Sequence, residues 1–566
     1  MSLESKKKWI WPKEIISLDA ISKTILELRE IDNVKTFLNP QLKNIPTYEK
    51  LYGAKKAAKS IVKAVKDNKK IVIHGDYDAD GICATSILWE FLYRELADYL
   101  DQKVDVLPFI PNRSDQGYGL TESSIDECID MGADLIITVD CGVRDKEIIN
   151  RYLKEKKVDF VITDHHQVPE DILENLNYPL VHQRFPKHKY ADVEICGAFV
   201  AFILIQAIKV EVGMDFEIKE DTCGLDLVAL ATITDIMQLK SVNRTIVKYG
   251  LNQMKKQKRL GLKSLIEKAE IDIKQLDTYH LGFIIGPRLN ASGRIDSAIE
   301  AVKLLVSNKA KTCMELASKL DSLNFERQKM TRQTLSEAKE MADTEKKIIV
   351  VLGNNWHEGI VGLVAGKLNE EFSRPTVIAT KSNGEIRGSA RSISGFNITT
   401  ALEKCSKSLK RFGGHEQAGG FTVKNGKWDE FVECLNKIAD KEITEEMLIP
   451  MLNIDLELST NDISFRFLEI LKELEPFGYG NRKPIVGFRD LAIVKKDPIG
   501  KVQNHLKLLC KGDGVDLVTV LLFRCDEDVE NLKVDDSIDI VGSVNVNSWN
   551  GRDQLQVIAK EWKYSV

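Results

Sequence analysis

No stretch of the 566 residues stays apolar for the ~18 positions that a membrane-spanning helix requires. A membrane-embedded function is therefore not expected. The ten cysteines are scattered and form no Cys-x-x-Cys pair, which argues against structural zinc or a disulfide framework and suits reduced thiols in a cytosolic chain. The opening MSLESKKKWIWPKEI has lysines but no apolar stretch behind them, so no secretory leader is read there and a cytoplasmic location is expected. Excess positive charge is missing too: 80 Lys and Arg face 85 Asp and Glu, for a net charge of −5. Any polyanion would have to be met by a local patch. Internal repeats and low-complexity tracts are also missing. What remains is a globular composition, 43% hydrophobic and 29% charged, long enough for roughly three or four domains.

The stretch IVIHGDYDADGICAT, residues 71 to 85, sets Asp76, Asp78 and Asp80 at alternate positions directly behind an apolar run. A calcium loop would need a preceding helix and a Glu at its twelfth position, where Ile87 stands. The β-branched run KKIVIHG before the acids reads instead as a buried strand, and ICATSILWEFLYREL after them reads as a helix. The carboxylates thus occupy a strand-to-helix turn, the place where open α/β sheets bind ligands. One Asp would be enough to cap the helix. Three call for another explanation.

Further strand-like runs follow at VDVLPFIP, ADLIITVD, VDFVITD and YPLVH, alternating with amphipathic segments, as in a doubly wound parallel sheet. The stretch 298 to 347 lacks Gly and Pro and reads as one long helix or a helical hairpin. A second α/β unit starts at KKIIVVLG, and the last ~115 residues hold short strand-like pieces suited to a small barrel. The expected layout is an N-terminal lead with a parallel-sheet domain over 1–300, a connecting helix over 301–345, a smaller α/β domain over 346–445 and a barrel over 446–566.

Two later strands also end in acids or imidazoles: Asp140 in TVDCG, then Asp164, His165 and His166 in TDHH, while Asp235 follows the apolar run DLVALATIT. Each alone could cap a helix or satisfy a local hydrogen bond. Strands ~4.8 Å apart bring such ends together, and unpaired carboxylates gathered there would resist ionisation unless cations bind. Mixed carboxylate and imidazole donors suit Mn²⁺ or Mg²⁺, and a pair of such ions serves phosphoryl chemistry.

HGDYDADG, VDCG, TDHH and TITD resemble the motifs of the DHH phosphoesterase superfamily. PNRSDQGYGL, GPRLNASGR, GSARS and FGGHEQAGG, followed by a barrel, resemble its RecJ branch of single-strand-specific DNA exonucleases. The resemblance implies a DHH domain, a DHHA1 domain and an OB-fold barrel. It implies two divalent cations, Mn²⁺ or Mg²⁺, on Asp76, Asp78, Asp140, His165, His166 and Asp235, with His74, Asp80 and Asp164 orienting those ligands. On the substrate side it implies phosphate binding by Arg113, Asn290, Arg294, Ser389, Arg391, Gly413 and Gly414, with His415 at the scissile phosphate. The expected activity is 5′→3′ hydrolysis of single-stranded DNA to mononucleotides in DNA repair and recombination. The expected partners are single-stranded DNA, a single-strand-binding protein and a RecQ-type helicase, with no membrane and a monomeric chain.

From Arg374 to His415 there are eight Lys or Arg against two Glu, which reads as a basic face on an acidic chain. Arg113 and Arg294 read as lying in Gly- or Ser-rich loops. Trp549, beside Gly551 and Arg552, is either a base-stacking residue or part of the barrel core. Two other functions stay open: a phosphoesterase of short oligonucleotides or cyclic dinucleotides, for which the barrel is superfluous, and a non-catalytic DNA-binding scaffold, which would be expected to lack metal ligands.

Overall fold

The structure, a computed structural model, describes residues 4–13, 17–112, 119–169, 176–185, 188–382, 384–500, 502–514, 517–549 and 552–565. Its first strand, β1 (Lys8–Ile10), does not join the domain that follows it. β1 pairs in parallel with Met451–Asn453, some 440 residues later. Behind it Ile21, Ile25, Leu26 and Phe37 are buried in the core of the C-terminal barrel. The lead expected with the first domain thus packs with the last one. An isolated apolar stripe such as that of the helix Ile21–Leu28 does not say which core will cover it.

The first domain carries β2 (Ile71–Gly75), β3 (Val106–Phe109), β4 (Leu135–Val139), β5 (Asp159–Asp164) and β6 (Leu180–His182) in the order β3-β2-β4-β5-β6, all parallel. Helices Ala54–Lys66, Ala79–Glu90, Gly197–Glu211 and Leu225–Thr234 cover one face, while Glu122–Asp130 and Lys146–Lys154 cover the other. That is why β2 and β4 are buried at every residue and read as unbroken apolar runs. The chain reverses direction across the sheet between β2 and β4, so a crevice opens at their carboxyl ends.

The stretch from 298 resolves into a short helix, Ile299–Val306, and the 32-residue helix Ala310–Met341. At 1.5 Å per residue the latter is about 48 Å long. The second domain follows, with β7 (Ile349–Asn354), β8 (Thr376–Ser382), β9 (Glu385–Arg391), β10 (Leu409–His415) and β11 (Ala418–Val423) in the order β10-β11-β9-β8-β7. Only β7 and β8 run parallel. Here a disulfide links Cys405 to Cys434, contrary to the expectation of reduced thiols throughout. Two helices packed across 29 residues of sequence bring the pair together, and no local spacing announces it.

After β12 (Met451–Asn453) comes a five-stranded barrel: β13 (Val486–Ile499), β14 (His505–Lys511), β15 (Leu517–Leu522), β16 (Ser537–Trp549) and β17 (Arg552–Tyr564). It is ordered β13-β14-β15-β17-β16 and closed by pairing of β16 with β13. Trp562 fills its centre. Trp549 pairs with Arg552 at the end of the β16–β17 hairpin.

Arg244 ties the domains together. Buried in the first domain, it lies over the Phe37 ring at 3.9 Å and donates to the carbonyls of Phe37 (2.7 Å), Leu474 (2.9 Å) and Glu475 (2.6 Å). Those carbonyls belong to the lead and to the segment entering the barrel. No helix among the described residues is long and apolar enough to cross a membrane.

Candidate active site

The acidic turn after β2 is fixed from three sides. Asp78 caps the next helix, its Oδ1 accepting from the N–H groups of Asp80 (2.9 Å) and Gly81 (3.2 Å). Gly81 lets the helix press onto the turn, since a Cβ there would come within 2.5 Å of the Asp76 carbonyl oxygen. NASGR presses from the other side, where a Cβ on Gly293 would lie 2.3 Å from the Tyr77 carbonyl oxygen. This segment was expected to be a loop, and instead forms the helix Gly286–Ile295. Its small residues serve close packing, a use that composition cannot tell from a flexible turn. Asn290, expected on the substrate side, accepts the Ala79 N–H at 2.7 Å and so holds the acidic turn.

Asp140 sits just beyond β4 with φ of 64°, a conformation uncommon for a residue with a side chain, and is buried. The helix Gly197–Glu211 begins against it, where a Cβ on Gly197 would stand 2.6 Å from the Asp140 Cβ. The same helix start donates two N–H bonds to Asp80: Gly197 N to Oδ2 at 2.6 Å and Ala198 N to Oδ1 at 2.8 Å. After β5, Asp164 accepts from the backbone N–H groups of His165 (2.7 Å), His166 (3.1 Å) and Val143 (2.9 Å), and its Oδ1 is 2.8 Å from His166 Nδ1. Burial alone would raise Asp164, but the His166 hydrogen bond and the neighbouring imidazoles hold it below the ordinary carboxylate value. His182 closes the set from β6, its Nε2 donating to the His166 carbonyl at 2.8 Å while Nδ1 accepts from Arg184 N.

Three clusters of potential ligand atoms result, each within 4.8 Å: Asp76, Asp78 and Asp140; Asp140, His165 and His166; and Asp80, His165 and Asp235. His165 Nε2 lies 3.1 Å from Asp140 Oδ1, 3.5 Å from Asp235 Oδ2 and 3.8 Å from Asp80 Oδ2. Among the described residues these Asp140, Asp235 and His165 atoms are buried without a hydrogen-bond partner, as is Nε2 of the fully buried His74. Burial, and then the other four aspartates, push Asp140 well above the usual carboxylate range, and burial followed by Asp80, Asp78, Asp76 and Glu194 raises Asp235 likewise. Burial also lowers His165, keeping it a neutral donor, and brings His74 down to about 4. Against burial, the Asp164 hydrogen bond raises His166. Crowded acids, imidazoles and orphaned donor atoms fit divalent cations. Asp80, expected only to orient other ligands, stands within ligand distance itself.

The second domain faces this centre. His415, at the end of β10, shares a cleft of about 700 Å³ with His165, His166 and His182. A larger cleft of about 1210 Å³ is lined by Asn112 and Arg294 on one wall and by Ser389, Arg391 and Arg411 on the other. Arg391 donates to Ser389 Oγ (3.1 Å) and the Ala390 carbonyl (2.8 Å), and Arg294 donates to the Gly359 carbonyl (3.0 Å). Gly414 has φ of 150°, and a Cβ there would lie 2.2 Å from the Ala418 carbonyl oxygen. Beside it Gly413 is open. Arg113 lies outside the described residues.

The basic face is weaker than its composition suggests. Glu385 engages both Arg387 and Lys410, Glu358 engages Arg387, and Glu442 engages Lys404. Two of these acids lie outside the counted window.

Family models match three segments: the DHH family, N-terminal domain, over 70–232; the DHHA1 domain over 345–443; and the RecJ OB domain over 454–561. The single-stranded-DNA-specific exonuclease RecJ of Haemophilus influenzae is 32% identical over 98% of both chains. The chain belongs to the RecJ family. The RecJ exonuclease of Bacillus subtilis is 37% identical over 90% of this chain, which spans 63% of that relative's length. The crystal structure of RecJ in complex with Mn²⁺ from Thermus thermophilus superposes with a TM-score of 0.82 at 27% identity, covering 99% of this chain and 80% of that one.

In this RecJ-family chain the clustered ligand atoms fall inside the DHH segment except Asp235, three residues past it. The sequence reading did not mark Gly197, Ala198 or His182. His182 did carry a signal, since YPLVH ends a strand in an imidazole as TDHH does. Gly197 carried none, because a helix-initiating Gly looks the same whether or not a carboxylate lies against it.

Proposed function

We propose that the chain hydrolyses single-stranded DNA from the 5′ end, using two divalent cations, Mn²⁺ or Mg²⁺. The observation that carries this is the convergence of the orphaned Asp140, Asp235 and His165 atoms at one point, where His165 also lines a cleft with His415. Asp76, Asp78, Asp140, His165, His166 and Asp235 would hold the cations, with Asp80 clustered beside Asp235 and His165. When bound, such cations activate water near neutral pH and neutralise charge on the phosphate.

Asp164 fixes the His166 ring and the backbone of both histidines, and His74 packs behind the turn. Arg391 and Ser389 bind the phosphodiester from the DHHA1 side, and His415 reaches its non-bridging oxygens across the open backbone of Gly413. Arg294, with Arg113, grips the 5′ end. Two walls belonging to separate domains favour one strand over a duplex, because a single strand can lie flat between them. The intact ligand set disfavours a non-catalytic scaffold. A single-strand-binding protein and a RecQ-type helicase are proposed as partners of a monomeric cytoplasmic enzyme, on the family resemblance alone.

The test is digestion of 5′- and 3′-labelled single strands and duplexes with Mn²⁺, Mg²⁺, Ca²⁺ or chelator. Cation-dependent loss of the 5′ label from single strands is expected. Release from the 3′ end first, or equal attack on duplexes, would contradict the reading.

A further inference from the structure

The segment YPLVHQRF carries β6 out of the sheet beside the two metal-site histidines. The last ladder pair joins Asp164 of β5 to His182 of β6. Past that pair the strands part, and the carbonyls of His165 and His166 need partners that the ladder no longer supplies. Two consecutive side chains supply them. His182 Nε2 donates to the His166 carbonyl at 2.8 Å, and Gln183 Nε2 donates to the His165 carbonyl at 3.3 Å. Asp164 holds the N–H groups of the same two residues from the other side.

Gln183 differs from His182 in what its remaining atom does. Its Oε1 accepts the Ile195 N–H, two residues before the helix Gly197–Glu211, and the first N–H groups of that helix hold Asp80. Ile195 and Cys196 are fully buried, so the link between them and the helix start has no slack toward solvent. One amide therefore spans the backbone that carries His165 and the backbone that fixes Asp80. Those two residues, with Asp235, form one of the three ligand clusters. Gln183 is itself held from behind: its carbonyl accepts the Tyr190 N–H at 3.0 Å, and the Tyr190 hydroxyl donates to the Pro46 carbonyl at 2.6 Å. It is buried and lines neither of the clefts described above. An amide suits the place because it donates at one end and accepts at the other, whereas an ionised carboxylate only accepts.

We propose that Gln183 is a positioning residue for the cation site made by Asp80, His165 and Asp235. Its amide sets the spacing of the two segments that bring His165 Nε2 to 3.8 Å from Asp80 Oδ2. The inference rests on the two-cation reading and adds to it a residue that touches neither cation nor DNA. The cluster of Asp76, Asp78 and Asp140 contains neither His165 nor Asp80. The two cation positions should therefore respond unequally when Gln183 is changed.

The test is Mn²⁺ titration calorimetry on the full chain and on Gln183→Leu and Gln183→Glu, with steady-state hydrolysis of a 5′-labelled single strand in parallel. Gln183→Leu keeps the size and removes both hydrogen bonds. Gln183→Glu keeps the acceptor for Ile195 and removes the donor to His165, and it carries the test alone if circular dichroism shows the leucine variant unfolded. In each variant one Mn²⁺ is expected to bind ~10–100-fold more weakly while the other stays within about threefold of wild type. At limiting Mn²⁺ kcat should fall and excess Mn²⁺ should restore it, with KM for the strand unchanged throughout. Wild-type affinity for both ions in the folded variants overturns the inference. Equal weakening of both ions, or a raised KM at unchanged kcat, overturns it too, since a general loosening of the fold would do that. Failure of the wild-type chain to bind Mn²⁺ at all overturns the two-cation reading itself.

Discussion

The metal centre and the sheet face opposite it handle charge in opposite ways. The centre gathers five aspartates beside two imidazoles, with atoms of Asp140, Asp235 and His165 buried and lacking a hydrogen-bond donor or acceptor among the described residues. The sheet face holds many cations, several of them engaged by Glu385 and Glu358, with arginines in the rows at the two ends of an open glycine pair. On the proposed function, ions from solution would complete one region and the phosphates of the substrate the other. Chemistry and substrate grip should therefore separate under mutation.

The largest effect is expected at Asp140, which belongs to two of the three ligand clusters. Asp140→Ala removes a donor from both of those clusters, so, if they hold the proposed cations, several kcal/mol of transition-state stabilisation would be lost, ~10³-fold or more in kcat. Single-strand affinity should persist, because phosphate contacts elsewhere supply it. Loss of binding in parallel with turnover, in a variant with wild-type circular dichroism, would merge the two regions and end the comparison.

A smaller effect should follow from crowding the same carboxylate without touching it chemically. Gly197→Ala places a methyl 2.6 Å from the Asp140 Cβ and disturbs the N–H groups that hold Asp80. Displaced orienting groups typically weaken metal affinity by ~10–100-fold. Mn²⁺ titration calorimetry reads this directly, and wild-type affinity would show that the helix start does not position the acids.

The pH dependence is sharper in sign than in size. Burial and mutual repulsion raise Asp140, Asp235 and Asp80 above the usual carboxylate value, so at these three sites the folded chain without cations binds more protons than the unfolded one. Their contribution to stability is fullest below the unfolded carboxylate value and declines as pH rises through the raised one. Cations replace those protons, so Mn²⁺ affinity climbs over the same window. Melting temperatures measured with chelator and with Mn²⁺ from roughly pH 4 to pH 8 should diverge as pH rises. Parallel curves would mean that the acids are not held in mutual repulsion.

How much of this could be read in the sequence depended on whether a feature is local. Strand-end acids and histidines stand out because the strand, the turn and the ligand occupy one short window, as in HGDYDADG and TDHH. The parallel sheet and the barrel were legible for the same reason. NASGR was misread as a loop because small residues that pack and small residues that bend look alike. The neutralisation of Arg387 and Lys404 by Glu358 and Glu442, the Cys405–Cys434 pairing and the union of the lead with the barrel all depend on partners remote in sequence. Periodicity carries no information about those.

The last prediction asks whether metal centre and sheet face are sufficient without the third region, and it should change catalysis least. A chain stopped near residue 450 keeps every clustered ligand atom, Arg391 and His415, but it strands the lead. Ile21, Ile25, Leu26 and Phe37 would lose the barrel core that buries them, at ~1.5–3 kcal/mol each. Arg244 would lose the Leu474 and Glu475 carbonyls as well. That truncation is expected to aggregate. Removing residues 1–40 together with 450–566 avoids the problem, because Leu42, Ile45 and Leu51 belong to the first domain's own core and Arg244 becomes solvated instead of half-paired. The doubly trimmed chain should hydrolyse short oligonucleotides at a rate within a few-fold of the full chain. On long strands it should bind less tightly, with a salt dependence shallower by ~0.7 in log–log slope for each phosphate contact the barrel had supplied. Product length against time at two salt concentrations measures both, and an unchanged slope in a soluble, doubly trimmed chain would show that the barrel does not hold DNA.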